Sequence, residues 1–158
     1  MVSILTLTKG KFTIVDDGDF EWLSQWKWTF CNTGYAYRIG PRAEGRKKIY
    51  LHRLVAGVEK GDEVDHIDRN KLNNTRGNLR KCSRRENSCN NIRRSKKSSK
   101  YKGVFLKKRD NKWCAQIKVG GNSKHIGIFD RQEDAALAYN AMALVVHGEF
   151  AYLNEVAA

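Results

Sequence analysis

The chain has 158 residues, 41% of them hydrophobic and 10% aromatic, with a net charge of +13 from 30 basic and 17 acidic side chains. That composition predicts packed cores rather than wholesale disorder, in one domain or two small ones. No apolar run approaches the ~20 residues of a membrane span, and no charged-then-apolar leader opens the chain, so a soluble cytoplasmic protein is expected.

The charge is unevenly placed. Asp16, Asp17, Asp19 and Glu21 form an acidic cluster near the start, whereas from Arg76 to Lys124 the only acids are Glu86 and Asp110. One sign concentrated over half a chain repels itself and makes most sense opposite a polyanion. Nucleic acid is therefore the expected partner; a membrane surface is disfavoured because no basic amphipathic helix with a bulky apolar face accompanies the charge. Cys31, Cys82, Cys89 and Cys114 contain no Cys-x-x-Cys pair and are read as reduced thiols rather than a zinc knuckle or a disulfide framework.

In chain order, residues 4–23 read as short β-segments with a turn at Lys9-Gly10 and a second at Asp17-Gly18. "WKWTF" (26–30) and "YAYRI" (35–39) alternate like half-buried strands, and the aromatic density from Trp22 to Tyr37 reads as core. "IYLHRLVAG" (49–57) fits a strand running into a short helix ended by Gly57. Asp65-His66 then sits where a short apolar segment opens into "RNKLNNTRGN" (69–78), which is loop-forming throughout. Ser83 and Glu86 fit a capping box, with Asn87 in the first turn of the helix it starts and Asn91 one turn later.

Residues 93–100, "RRSKKSSK", read as a flexible basic linker. Beyond it, residues 101–108, 112–119 and 124–129 are three strand-like runs separated by turn signals. Residues 130–148 read as a helix with Asp130 as N-cap, Glu133 as its capping-box partner and Gly148 as its stop. In the middle strand Trp113, Ala115, Ile117 and Val119 take one face and Cys114, Gln116 and Lys118 the other, giving a sheet with one buried and one basic face.

The Asn-rich stretch carries the parts of a catalyst. A strand-end Asp and a helix-borne Asn offer hard oxygen ligands suited to Mg²⁺, and a neighbouring neutral His can take a proton from water near pH 7. Together these suffice for phosphodiester hydrolysis. The amides of Asn70, Asn73, Asn74 and Asn78 suit a different task, pairing backbone groups that an irregular loop leaves open.

Asp65-His66, Asn78 and Asn87, with "LHRLVA" upstream and "NLR" at 78–80, resemble the HNH homing-endonuclease family common in phages. The segment from Thr8 to Trp26 also resembles the region preceding that motif in phage members. The resemblance implies a ββα-metal fold: two antiparallel strands, a loop and a metal-flanking helix. It implies His66 as the general base, Asp65 and Asn87 as ligands of a divalent ion, most simply Mg²⁺, and Asn78 as the catalytic-motif residue that holds the loop. His52 and Arg53 have two readings, approach to the scissile phosphate or capping and packing of a short helix.

Residues 101–154 resemble the AP2 DNA-binding domain through "KGV", "KWCAQI", "IGIFDRQEDAALAYNAMA" and "HGEFAYLN". That resemblance implies a sheet laid in the DNA major groove, with Lys102, Phe105, Lys107, Arg109, Gln116, Lys118 and His125 facing outward. Gln116 suits an adenine edge. The contact set of plant members is absent, so a target sequence does not transfer.

The expectation is an α+β protein of two domains. An HNH nuclease spans 1–92, a basic linker 93–100, and an AP2-like module of three antiparallel strands and a helix 101–154. Arg93, Arg94, Lys96 and Lys97 would track phosphates between them. The expected function is metal-dependent, site-directed cleavage of double-stranded DNA by a monomer in a bacterial or phage-infected cell. The alternative is a DNA-binding regulator whose HNH half is a scaffold; an RNA reader is disfavoured because the polar sheet face offers only Phe105 for stacking.

Overall fold

A computed structural model describes residues 1–91 and 98–157, and the backbone divides into two units, Met1–Asn87 and Ser88–Ala158. Both are mixed α and β, built from small antiparallel sheets and short helices. Arg93, Arg94, Lys96 and Lys97 lie outside the described residues. No helix among the described residues is long and apolar enough to cross a membrane.

The first unit opens with the antiparallel hairpin β1 (Val2–Thr6) and β2 (Phe12–Asp16), turning through Lys9 and Gly10 as their sequence predicts. Asp17-Gly18 is not the second turn expected. It begins helix α1 (Asp17–Ser24), whose first turn carries Asp17 and Asp19. Acidic side chains complement the positive end of a helix dipole, so the same letters that favour a turn also favour a helix start. Strands β3 (Thr29–Phe30), β4 (Ala36–Ile39) and β5 (Lys48–Tyr50) form a second sheet, and helix α2 (Leu51–Val55) follows directly. Gly57 beyond it adopts φ 62°, the left-handed conformation glycine adopts without a Cβ penalty.

The core of this unit is Leu5, Leu7, Val15, Leu23, Trp28, Ala36, Leu51 and Val55. Trp22 and Trp26 pack around it, and Trp26 meets both Trp22 and Trp28 edge-on. The aromatic density thus lies in and around this core.

Strands β6 (Glu63–His66) and β7 (Leu79–Cys82) pair antiparallel, with Asp65 opposite Arg80 and His66 opposite Leu79. Helix α3 (Arg84–Asn90) follows. Its capping box closes in both directions: the Glu86 N–H donates to Ser83 Oγ at 3.2 Å, and the Ser83 N–H donates to Glu86 Oε2 at 2.8 Å. Asn91 falls just past the helix end rather than one turn along it.

The second unit contains β8 (Val104–Lys107), β9 (Lys112–Val119) and β10 (Asn122–Phe129), ordered β10-β9-β8, and helix α4 (Gln132–His147). Ala135, Ala136, Tyr139 and Ala143 bury the helix face against Tyr101, Val104, Ala115 and Ile117. The approach is close enough that a Cβ on Gly103 would lie 2.1 Å from the Tyr139 ring. The N-cap is Arg131, not Asp130; Asp130 instead takes the Lys112 ammonium at 2.5 Å. Gly148 ends the helix as expected. Asn154 ties the tail back, accepting from the Lys102 N–H at 2.6 Å and donating to the Lys102 carbonyl at 3.1 Å.

Candidate active site and nucleic-acid face

The loop joining β6 to β7 is held by its own amides. Asn78 Nδ2 donates to Asp68 Oδ1 and to the Asn73 carbonyl, both at 2.8 Å, while Asn78 Oδ1 accepts from the Asp68 N–H at 2.9 Å. Asn73 Nδ2 donates to Asp68 Oδ2 at 2.7 Å, and Asn70 Oδ1 accepts from the Leu72 N–H at 3.1 Å. Burial alone would raise the Asp68 carboxyl, but the donors from Asn73, the Asn70 backbone and Asn78 together hold it below its ordinary range. Asn78 is therefore placed as a loop tie.

The loop is also fastened to the N-terminal hairpin. The Ile14 N–H donates to the Leu72 carbonyl, and the Asn74 N–H donates to the Ile14 carbonyl, each at 2.8 Å. Arg76 reaches the acidic cluster, with its N–H on Asp16 Oδ2 and its guanidinium on both oxygens of Asp19. Asp19 is buried, and the Arg76 hydrogen bond holds its carboxyl below the usual range. The acidic cluster thus anchors the motif loop.

Asn74 is only 1% exposed and does more than hold the loop. Its Nδ2 donates to Thr13 Oγ1 at 2.7 Å and to the Lys71 carbonyl at 3.3 Å, which turns Oδ1 toward His66 Nε2, 3.3 Å away. An amide oxygen can only accept, so Nε2 carries the proton and the neutral ring keeps its lone pair on Nδ1. His66 is itself buried; burial lowers its pKa from the usual histidine value, against the opposing pull of the Asn74 hydrogen bond. The imidazole is held neutral and in one tautomer.

His52 packs beside it, ring centroids 5.3 Å apart, and Tyr35 lies 4.8 Å from His52. Burial, with smaller contributions from neighbouring positive groups, pushes His52 down to about 3, and its buried Nδ1 has no hydrogen-bond partner among the described residues. Arg53 directs Nη1 and Nη2 onto the carbonyls of Asp62 and Glu59, both at 2.6 Å. Of the two sequence readings for this pair, packing and capping is the one these contacts fit.

Successive strand residues project to opposite faces, which separates Asp65 from His66 and groups it with Glu63. Asp65 Oδ2 accepts from Arg80 Nη2 at 2.7 Å and Nε at 3.0 Å. Asn87 Nδ2 donates to Glu63 Oε2 at 2.8 Å, so α3 is joined to β6 through Glu63. Among the described residues no three His, Cys, Asp or Glu side chains converge to hold a metal ion. The oxygens on this side come from Asp65, Glu63 and the Asn87 amide, a hard donor set that fits a Mg²⁺-like ion and not a thiophilic one. Arg80 and Glu63 were missed from sequence. Arg80 could have been found by pairing β6 with β7 in register, and Glu63 by its place two residues before Asp65.

In the second unit the face of the sheet away from α4 carries Phe105, Cys114, Gln116, Lys118 and His125; Phe105 lies opposite Cys114, and Gln116 opposite His125. Lys112 and the half-exposed Ile128 share this face and were not anticipated. His125 Nδ1 lies 3.3 Å from Cys114 Sγ. Lys102 departs from expectation: it precedes β8, and its ammonium donates to the carbonyls of Cys89 and Asn91. Lys107 and Arg109 share one carboxylate, Asp110, at 2.6 and 2.8 Å.

A protein-family model described as HNH endonuclease matches residues 50–89, the span from the end of β5 into α3. A protein of Acanthamoeba polyphaga mimivirus named an HNH endonuclease is 35% identical over 162 residues, 98% of this chain and 80% of that protein. Protein 3.8 of Escherichia phage T7 is 32% identical over 107 residues, 67% of this chain and 88% of its own. No solved structure matches the chain. With Asp65, His66 and Asn87 all inside the matched span and a relative that aligns with 98% of this chain, the chain belongs to the HNH endonuclease family.

Proposed function

We propose that the chain is a metal-dependent, site-directed DNA endonuclease of the homing type, with its chemistry in the first unit and DNA recognition in the second. The observation that carries the reading is His66, buried, neutral and oriented by Asn74, with Asp65 the residue before it on β6. In this reading Nδ1 of His66 takes the proton of the attacking water. Asp65 and Asn87 hold a divalent ion, which when bound offsets charge on the phosphorane-like transition state and the leaving oxygen. Asn74 keeps the base oriented, and Asn78 keeps the loop closed around Asp68.

The second unit serves as an AP2-like module whose open sheet face enters the major groove. Support comes from the resemblance and from the exposed Gln116 and Lys118 at the middle of that face. Lys118 contacts phosphate and Gln116 a base edge, which divides positioning from readout. Lys102, Lys107 and Arg109 already hold internal partners, so they rank below Lys118 as phosphate contacts. Arg93, Arg94, Lys96 and Lys97 keep their proposed role as a basic connection.

The test is to incubate the pure protein with DNA of its source and Mg²⁺, and to map the broken ends. Ends that recur at a few positions are expected, and a Gln116→Ala, Lys118→Ala variant should scatter them while still cutting. Random ends from the wild type would refute site direction, and an intact substrate would refute the nuclease.

A further inference from the structure

Glu63 lies two residues before Asp65 on the same face of β6, and its Oε2 accepts the Asn87 Nδ2 hydrogen bond at 2.8 Å. An amide has a donor end and an acceptor end, and the two point in opposite directions. A cation can bind only the oxygen end. A carboxylate accepts hydrogen bonds and cannot give one, so Glu63 admits only the nitrogen of Asn87 and fixes which way Oδ1 is presented. Without it that constraint is lost, and an amide turned over would offer N–H groups that repel a cation. The same bond fastens the first turn of α3 to the strand that bears Asp65. Arg84 Nε stands 4.0 Å from Glu63 Oε1, a weaker tie that leaves the Asn87 bond as the short contact.

We infer that Glu63 is a positioning residue for the metal, acting through Asn87 by setting the orientation of its amide; this rests on the proposed reading of Asp65 and Asn87 as metal ligands. Outer partners that orient a ligand typically change metal affinity by ~10–100-fold when removed. Because the effect runs through one side chain, it must vanish when that side chain is gone.

Mn²⁺ binding to the full chain, titrated directly without DNA, provides the readout, with circular dichroism to establish that each variant is folded. Glu63→Ala should weaken Mn²⁺ binding by ~10-fold in the wild-type background. In an Asn87→Ala background the same substitution should cause no further loss. Wild-type affinity in Glu63→Ala overturns the inference, and so does an equal loss in both backgrounds, which would make Glu63 a ligand or a simple source of charge. Unchanged affinity in Asn87→Ala alone overturns the metal reading beneath it, and the inference with it.

Discussion

His66→Ala should lower the rate of DNA cleavage by ~10²–10⁴-fold, the usual cost of removing a general base, and leave DNA affinity unchanged. In the proposed reading the ring acts in the chemical step, whereas the candidate docking face belongs to the sheet of the second unit. The wild-type profile carries a second signature. His66 must be neutral to accept a proton, and burial holds its pKa below the ordinary histidine value. Activity should therefore survive acidification past pH ~6.5 and fall only at lower pH. Asn74→Asp keeps the acceptor oxygen but adds a negative charge 3.3 Å from Nε2, which favours the imidazolium. Its acid limb should move to higher pH than that of the wild type. A His66→Ala protein that cuts at the wild-type rate would remove the imidazole from the mechanism.

Acid should unfold the first unit, and His52 should account for much of the sensitivity. Its folded value is about 3 against an ordinary 6.5. Above pH 6.5 the ring is neutral in both the folded and unfolded chain, and its contribution to stability is fully present. Between pH 6.5 and about 3 the unfolded chain binds a proton that the folded one refuses, so stability falls by ~1.4 kcal/mol per pH unit. Over that interval the loss is of order 3–5 kcal/mol, comparable with the whole stability of a small domain. His66, also lowered, adds to the slope in the same direction. His52→Phe retains a ring for packing against Tyr35 and His66 but cannot titrate. Denaturant unfolding at a series of pH values should show a shallower acid slope in His52→Phe, by up to one proton, with stability at pH 7 maintained or raised. Identical slopes in the two proteins would mean that His52 is not kept neutral by the fold.

What the sequence disclosed depended on how far apart the interacting residues lie along the chain. The Ser83–Glu86 capping box involves residues three apart and was legible from the letters. So was the alternation that buries Ala115 and Ile117 and exposes Gln116 and Lys118. The Asn74–Thr13 bond that turns Asn74 toward His66 spans 61 positions, and the Arg76–Asp19 pair spans 57; no local pattern selects these partners over other polar residues. The acidic cluster was therefore visible as charge but not as an anchor. Asp17-Gly18 and Asp130 misled for a different reason. Asp serves turns, N-caps and ion pairs alike, and the choice among them was made by the dipole of α1 in one case and by Lys112 in the other.

Cleavage of one duplex substrate by the wild type, Asp65→Ala and Asn87→Ala across a Mg²⁺ titration bears on the mechanism most directly. The wild type should cut with a saturable dependence on Mg²⁺ and fall silent in excess chelator. Each variant should need more Mg²⁺ or fail to cut, because each removes an oxygen from the proposed donor set on β6 and α3. Undiminished cutting in excess chelator, or variants that follow the wild-type curve, would contradict a metal-dependent nuclease built on Asp65 and Asn87.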